Sequence, residues 1–208
     1  MRCVVIGGAD IGDYERVKSF FRDDDCFYFC DSGLRHMDAL GVSPSLIVGD
    51  FDSHENPRMD VETIVLPREK DDTDTVFAVK EALRRGFDDF LLTGVVGARL
   101  DHTLGNVYIL VMLDSMGKRA RLIDDYSDME MVSNGSVFID EDAKYFSLLN
   151  ITGEPNDVTI ENAKFPLVHA SIDCGYQYGI SNEVLPGRVA NVSVHRGRLL
   201  LIRVFNDK

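Results

Sequence analysis

Cys26-Phe27-Tyr28-Phe29-Cys30-Asp31-Ser32-Gly33 is an apolar strand that runs straight into a polar, glycine-containing exit. A strand with no polar face is buried on both sides, which marks a parallel sheet covered by helices rather than a sheet with one wet face. The same form recurs to either side. Arg2 to Ile6 leads into Gly7-Gly8, and Leu46-Ile47-Val48 into Gly49-Asp50-Phe51-Asp52-Ser53. Thr63 to Leu66 is closed by Pro67, Phe90 to Thr93 leads into Gly94, and Arg119 to Ile123 is the last. Helical stretches lie between them, at Asp13 to Arg22, Thr75 to Arg85 and Asp101 to Met116. In the second, Val76, Val79, Ala82 and Leu83 form one stripe, and Gly86 is the stop signal. The third is apolar nearly all round from Val107 to Leu113, which predicts deep packing, and Gly117 ends it. Alternating strands and helices imply a parallel sheet between helices. Ligands of such sheets bind beyond the carboxyl ends of the strands, so the polar exits should converge on one rim.

After about Asp124 the texture changes. Short alternating runs replace the helical periodicity: Met129 to Val132, Ser136 to Ile139, Tyr145 to Leu149, Val158 to Ile160, Arg188 to Val194 and Leu199 to Val204. Asn134-Gly135 and Arg196-Gly197 read as turns between them. The expected architecture is an α/β domain over residues 1–124 with a parallel sheet, followed by a small antiparallel β-sandwich over residues 125–208.

The 208 residues carry 22 basic and 35 acidic side chains, a net charge of −13. Such a surface repels nucleic acid and anionic lipid. It still admits a nucleotide polyphosphate if a bound cation reverses the local sign. The longest apolar run, Val107 to Leu113, falls far short of the roughly 20 residues of a membrane span. The apolar start is too brief for a signal peptide, with Asp10 close behind. Cys26 and Cys30 share a strand face but lie roughly 13 Å apart at 3.3 Å per residue, too far to pair. With Cys3 and Cys174 they read as buried free thiols in a reducing, cytoplasmic setting.

The chemistry is concentrated in acids. Asp50 and Asp52 flank Phe51 at a strand exit, where alternation would turn both carboxylates one way and Phe51 inward. Two like charges held so close call for a divalent cation, and Mg²⁺ takes hard oxygen ligands shared with substrate phosphates. Ordinary loop carboxylates would look the same. Lys70-Asp71-Asp72-Thr73-Asp74 precedes a helix: Thr73 or Asp74 caps it, Lys70 offers a point charge for phosphate, and one acid reaches the metal. In Gly97-Ala98-Arg99-Leu100-Asp101-His102, Arg99 can fork onto a phosphate. Asp101 or His102 opens the next helix, Asp101 as its N-cap. The chain has no G-x-x-x-x-G-K-[ST] loop, and Gly7-Gly8-Ala9-Asp10-Ile11-Gly12 is not the dinucleotide fingerprint. Polyphosphate would therefore be held by metal and side chains.

Taken in order, Asp31-Ser32-Gly33, Gly49 to Ser53, Lys70 to Asp74, Gly97 to His102 with Asn106, and Gly179-Ile180-Ser181-Asn182-Glu183 resemble the thiamine pyrophosphokinase family over nearly the whole chain. The resemblance implies a homodimer with sites between subunits, using ATP and Mg²⁺ to convert thiamine to thiamine diphosphate with release of AMP. It implies that Asp50, Asp52 and Asp74 bind magnesium. Asp31, Ser32, Lys70, Asp71, Thr73, Arg99, His102 and Asn106 would lie at the nucleotide. Ser181 and Asn182 would lie on the thiamine side, contributed by the partner subunit, with Asp101 or Asp74 accepting the hydroxyl proton. The family usually has glycine where Ser32 stands, and Tyr176 or Tyr178 would substitute for an absent tryptophan. The same acids would also suit another D-x-D metal-dependent nucleotide transferase or phosphohydrolase, or a binding module without turnover.

Overall fold

The computed structural model describes residues 1–51, 59–69, 71–97 and 99–205. It divides into two compact units, Met1–Asp125 and Tyr126–Lys208.

The first unit runs β1 (Cys3–Ile6), α1 (Tyr14–Ser19), β2 (Cys26–Cys30), a 3-10 turn (Asp31–His36) continuing into α2 (Met37–Leu40), β3 (Leu46–Gly49), β4 (Thr63–Val65), α3 (Asp74–Arg84), β5 (Asp89–Thr93), α4 (Leu100–Ser115) and β6 (Arg119–Ile123). The strands lie in the order β6-β5-β1-β2-β3-β4, all parallel. Ile6 aligns with Phe29 on one side and Thr93 on the other. The carboxyl ends of β1, β2 and β5 therefore share one edge. The chain moves outward from β1 to β4, then returns through α3 to β5 on the far side of β1. Connections leave β1 and β5 in opposite directions, and that switch of order opens a crevice between them.

Uniformly apolar strands supply core to both faces. Val4, Ile6, Phe29 and Leu91 pack with Val17 of α1 and Leu40 of α2. Ala78, Val79 and Ala82 of α3 are completely buried, and α3 packs against β1, β2 and β3. Thr73 caps α3 by accepting a hydrogen bond from the Val76 N–H at 3.3 Å. Gly86 (φ +89°) follows its last turn.

Four expectations for this unit change. Helix α1 is shorter than Asp13 to Arg22, because Asp13 is its cap, accepting from the Arg16 N–H, and Phe20 closes it. Helix α4 is not packed all round: Ile109, Leu110 and Leu113 are buried, yet Leu100, Leu104 and Tyr108 stand 67%, 52% and 55% exposed on one stripe. A helix lying on a sheet buries only the stripe that touches it, whatever its other residues are. Arg99, not Asp101, occupies the N-cap position of α4, and it makes no side-chain cap. Finally, β3 ends at Gly49 and Phe51 takes φ +54°. Strand alternation does not run through Phe51, so it does not set the directions of Asp50 and Asp52.

The second unit holds β7 (Ser127–Ile139), β8 (Tyr145–Leu149), β9 (Asp157–Glu161), β10 (Leu167–Ala170) and β11 (Ala190–Val204). Every pairing within it is antiparallel. Strand β11 pairs with β7 along its whole length. On its other side it pairs with β9 through its first half and with β8 through its second. The expected turns at Asn134-Gly135 and Arg196-Gly197 are not hairpins. They face each other where the register between β7 and β11 shifts, with Asn134 at φ +45° and Gly197 at φ +78°. Residues that accept positive φ serve a bend in a long strand as well as a turn. The bend lets both halves close over one core, in which Val158, Ile160, Val192 and Val194 meet Val132, Phe146, Leu148, Leu199 and Leu201. Strand β10, missed in the sequence, is short and carries exposed Val168 and His169.

Candidate active site

A cleft of about 390 Å³ opens in the first unit at the carboxyl ends of β1, β2 and β5. Its floor is backbone. A Cβ on Gly94 (φ +63°) would lie 2.5 Å from the carbonyl oxygen of Gly7, and one on Gly7 would lie 2.5 Å from that of Gly94. The Gly7 N–H donates to Thr93 O at 2.9 Å and the Ala9 N–H to Gly94 O at 2.7 Å. The exits of β1 and β5 are thus zipped together with no room for side chains. Gly8 is constrained differently: its Cβ would fall 1.8 Å from the Ser32 hydroxyl. Ser32 is thus accommodated by a glycine opposite it.

Around this floor stand Asp10, Ser32 and Arg35 on one side, Thr73, Asp74 and Thr75 at the start of α3, and Gly97, Arg99, His102, Thr103 and Asn106 on another side. The Cys30 thiol lies 4.0 Å from the Thr75 hydroxyl, fixing the first turn of α3 over the end of β2. A helix start presents N–H groups and the positive end of its dipole, both suited to an anion. The amide of Asn106 donates to Val95 O at 2.9 Å, and Thr103 Oγ accepts from the Gly97 N–H at 3.1 Å. These two residues brace the loop after β5.

Charge at the cleft is paired. Arg35 donates to Asp10 at 2.6 Å. Arg99 grips Asp101 with two bonds, at 3.0 and 2.6 Å, both side chains being largely exposed. That guanidinium, followed by the His102 backbone N–H, holds the Asp101 carboxyl far below the usual carboxylate range. It is accordingly a weak proton acceptor in this arrangement. Behind the cleft His36 is buried, with the Tyr14 hydroxyl at 2.8 Å from Nδ1 and Ala9 O at 2.9 Å from Nε2. Burial pushes its pKa below the ordinary value, opposed by the bond to Ala9.

Ser32, Thr73, Asp74, Arg99, His102 and Asn106 therefore come together at one cleft. Asp31 is buried at the end of β2, against Gly49, whose Cβ would lie 2.6 Å from that of Asp31. Asp50 follows there, half-buried. Asp71 is exposed, and Asp72 is taken by Lys80 at 2.7 and 2.8 Å. Asp52, Lys70, Ser53 and Ala98 lie outside the described residues. In the second unit Ser181 (φ +57°) is exposed. The Asn182 side chain is buried and spent on backbone, accepting from the N–H groups of Phe165 and Glu183 and donating to Phe165 O. Tyr176 and Tyr178 lie with ring centroids 5.9 Å apart, and the Tyr178 hydroxyl donates to Ser171 O. Cys3 and Cys30 are buried free thiols and Cys26 is half-buried, but Cys174 is exposed.

Sequence reading passed over Gly7-Gly8-Ala9-Asp10 and Arg35. The glycine pair was visible but failed the dinucleotide pattern. Arg35 follows Ser32 by three residues, one full turn of a 3-10 helix, a spacing meaningful only once that turn is known.

Comparison with known proteins now bears on the site. Residues 17–122 match the thiamin pyrophosphokinase catalytic domain, and residues 136–199 the thiamin pyrophosphokinase vitamin B1 binding domain. The thiamine pyrophosphokinase of Bacillus subtilis strain 168 is 32% identical over 181 residues, covering 83% of this chain and 84% of that protein. This chain belongs to the thiamine pyrophosphokinase family. The fold agrees with solved members of that family. A crystal structure of the Bacillus subtilis enzyme superposes with a TM-score of 0.88 over 100% of both chains at 24% identity. One from Geobacillus thermodenitrificans gives 0.84 at 25% identity, covering 100% of this chain and 99% of that one. The Candida albicans protein, at 13% identity, keeps the fold with a TM-score of 0.78, covering 99% of this chain and 89% of that one. The family has thus kept its parallel strand ends and antiparallel β region while most side chains changed.

Proposed function

We propose that the chain transfers the pyrophosphoryl group of ATP to the hydroxyl of thiamine, giving thiamine diphosphate and AMP. The observation that carries this reading is the cleft at the β1/β5 switch point, which joins a bare backbone floor, the start of α3 and two arginines in a family member. Triphosphate would lie over Gly7-Gly8 and Gly94, its charge met by the first turn of α3, by Arg35 and by Arg99 released from Asp101. Asp101, once Arg99 has turned to the phosphates, or Asp74, which lines the cleft at the start of α3, would accept the hydroxyl proton.

Among the described residues, no three ligating side chains at this rim bring their atoms within 4.8 Å of one another. Magnesium is commonly held by one or two carboxylates and completes its shell with substrate phosphates and water. Asp50 and Asp74, with Asp52, would hold it. Bound there, magnesium would neutralise charge developing on the phosphoryl oxygens. The second unit is proposed to bind thiamine through the segment around Ser181, Asn182 fixing that segment from behind. The exposed Leu100, Leu104 and Tyr108 stripe supports a homodimer, and the free thiols support a cytoplasmic setting.

The test is an assay with ATP, Mg²⁺ and thiamine, following AMP and thiamine diphosphate. AMP should form only when thiamine is present; thiamine-independent hydrolysis would favour a phosphohydrolase instead. Asp50→Asn should lower kcat at least about a hundredfold, the scale on which one charge-stabilising group acts, with the fold intact by circular dichroism.

A further inference from the structure

In the second unit, far along the chain from the cleft residues, three strands place two imidazoles and a carboxylate together. His169 on β10 has Nδ1 at 3.1 and 3.2 Å from the two carboxylate oxygens of Asp157 on β9. His195 on β11 stacks on His169 with ring centroids 4.7 Å apart. One ligating atom from each of the three lies within 4.8 Å of the others, the one such group among the described residues. We propose that Asp157, His169 and His195 bind a divalent d-block cation of the zinc class.

The backbone explains how they meet. Val158, Val192 and Val194 point into the core, so Asp157 and Thr159 occupy the opposite, solvent-facing side of β9. His169 falls in the register shift between Leu167 and Ala170, at φ +48°. His195 falls in the shift between Val194 and Arg196. Two bulges, one on each flanking strand, re-aim a histidine at the same point of β9. Thr159 ties both: its hydroxyl lies 2.9 Å from His195 Nε2 and accepts from the His169 backbone N–H at 3.3 Å.

The chemistry of the donors selects the ion. Two imidazole nitrogens with one carboxylate oxygen suit zinc, nickel or cobalt, whereas magnesium and calcium prefer oxygen throughout. Bonds of 2.0–2.1 Å in a tetrahedron put neighbouring ligand atoms roughly 3.3 Å apart. The 3.1 Å separation of His169 and Asp157 already has that span. His195 closes by side-chain rotation, for which its exposed position leaves room. Binding takes the place of the hydrogen bond between His169 Nδ1 and Asp157; the ligating imidazole keeps one proton, on Nε2, and only an imidazolium gives its second proton to solvent. Three protein ligands leave the fourth position to water. The ion would clip the short strand β10 to β9 and β11 and so stabilise the second unit.

The experiment uses the full chain, stripped with chelator and held in excess Mg²⁺ so that oxygen-only sites are occupied. Zn²⁺ is titrated by calorimetry, with Co²⁺ as a spectroscopic probe. One Zn²⁺ should bind per chain and raise Tm, and affinity should weaken toward acid pH. The Co²⁺ spectrum should show nitrogen and oxygen ligation without thiolate charge transfer, which separates this site from exposed Cys174. His169→Asn and His195→Asn should each lose that ion and the Tm shift. Thr159→Val should weaken it roughly tenfold, as loss of an outer partner does. Formation of AMP and thiamine diphosphate should be unchanged in all three variants, so the proposal stands or falls apart from the proposed reaction. Retention of the Zn²⁺ equivalent in both histidine variants, or its absence in the parent chain, would overturn it.

Discussion

The two units solve the same problem, burying β-strands, in opposite ways. The first buries parallel strands on both faces and brings their ends so close that glycines must form the rim. The second buries one face of antiparallel strands, bends the two longest, and turns its polar face to solvent. Function follows the difference. A rim of bare backbone and helix starts suits an anion, whereas a bent sheet with an open face displays side chains at positions set by bulges. In the first unit the candidate site belongs to the backbone, and in the second to side-chain placement.

The largest expected effect probes the second unit. Arg203 on β11 is buried, facing Asp128 at 3.0 Å and also bonded to Glu130, with Arg203 directly opposite Asp128 in the β7–β11 register. Arg203→Ala leaves buried acid without its guanidinium and should cost about 3–5 kcal/mol by denaturant unfolding. Hydrogen exchange should show lost protection in β7 and β11 while β1, β2 and β5 keep theirs. Equal loss in both units would show that the contrast between them is only architectural.

Next is Gly94→Ala, which strikes the backbone rim. Positive φ in a non-glycine residue costs about 1–3 kcal/mol, and here the new methyl also meets Gly7 O. Thermal unfolding should report that loss, with KM for ATP rising because the β1 and β5 exits separate. An unchanged KM would detach the glycine floor from nucleotide binding.

Thr73→Ala should cost about 1 kcal/mol, the worth of an N-cap, while Thr73→Ser keeps it. Because Thr73 also lines the cleft, a rise in KM for ATP in Thr73→Ala but not in Thr73→Ser would tie the cap to the site.

The smallest effect is one of pH. His36 has its pKa lowered from 6.5 by burial, so the folded state binds fewer protons than the unfolded state as the solution is acidified. Its contribution is complete above about 6.5 and is lost as pH falls below that value toward the depressed folded pKa. Tm measured against pH should fall on the acid side, and His36→Gln should flatten that part of the profile. An identical profile in the variant would assign the acid sensitivity to other groups.

How much was legible differs between the units for the same reason. Uniform apolar runs such as Cys26 to Cys30 are unambiguous, and the polar exits after them led directly to Ser32, Thr73, Asp74 and Arg99. What failed was directional inference: Phe51 leaves the strand at φ +54°, and Leu104 and Tyr108 on α4 face outward despite being apolar. In the second unit Asn134-Gly135 and Arg196-Gly197 carried the right conformational signal, positive φ, but a local signal does not distinguish a hairpin from a bend. The meeting of Asp157, His169 and His195 had no sequence signature, since their spacing along the chain is arbitrary.

The sequence by itself determined the strands of the first unit, the parallel and antiparallel halves, the family, and the residue types available for a site. These follow from periodicity, apolar content and short motifs, which are local properties of the chain. Only the tertiary structure decided that β1 and β5 are neighbours, that Gly7 and Gly94 share the space of one side chain, and that Arg35 reaches the cleft. Each of these depends on which distant segments touch, and contact across a sheet is fixed by strand order and register, quantities that no single stretch of residues carries.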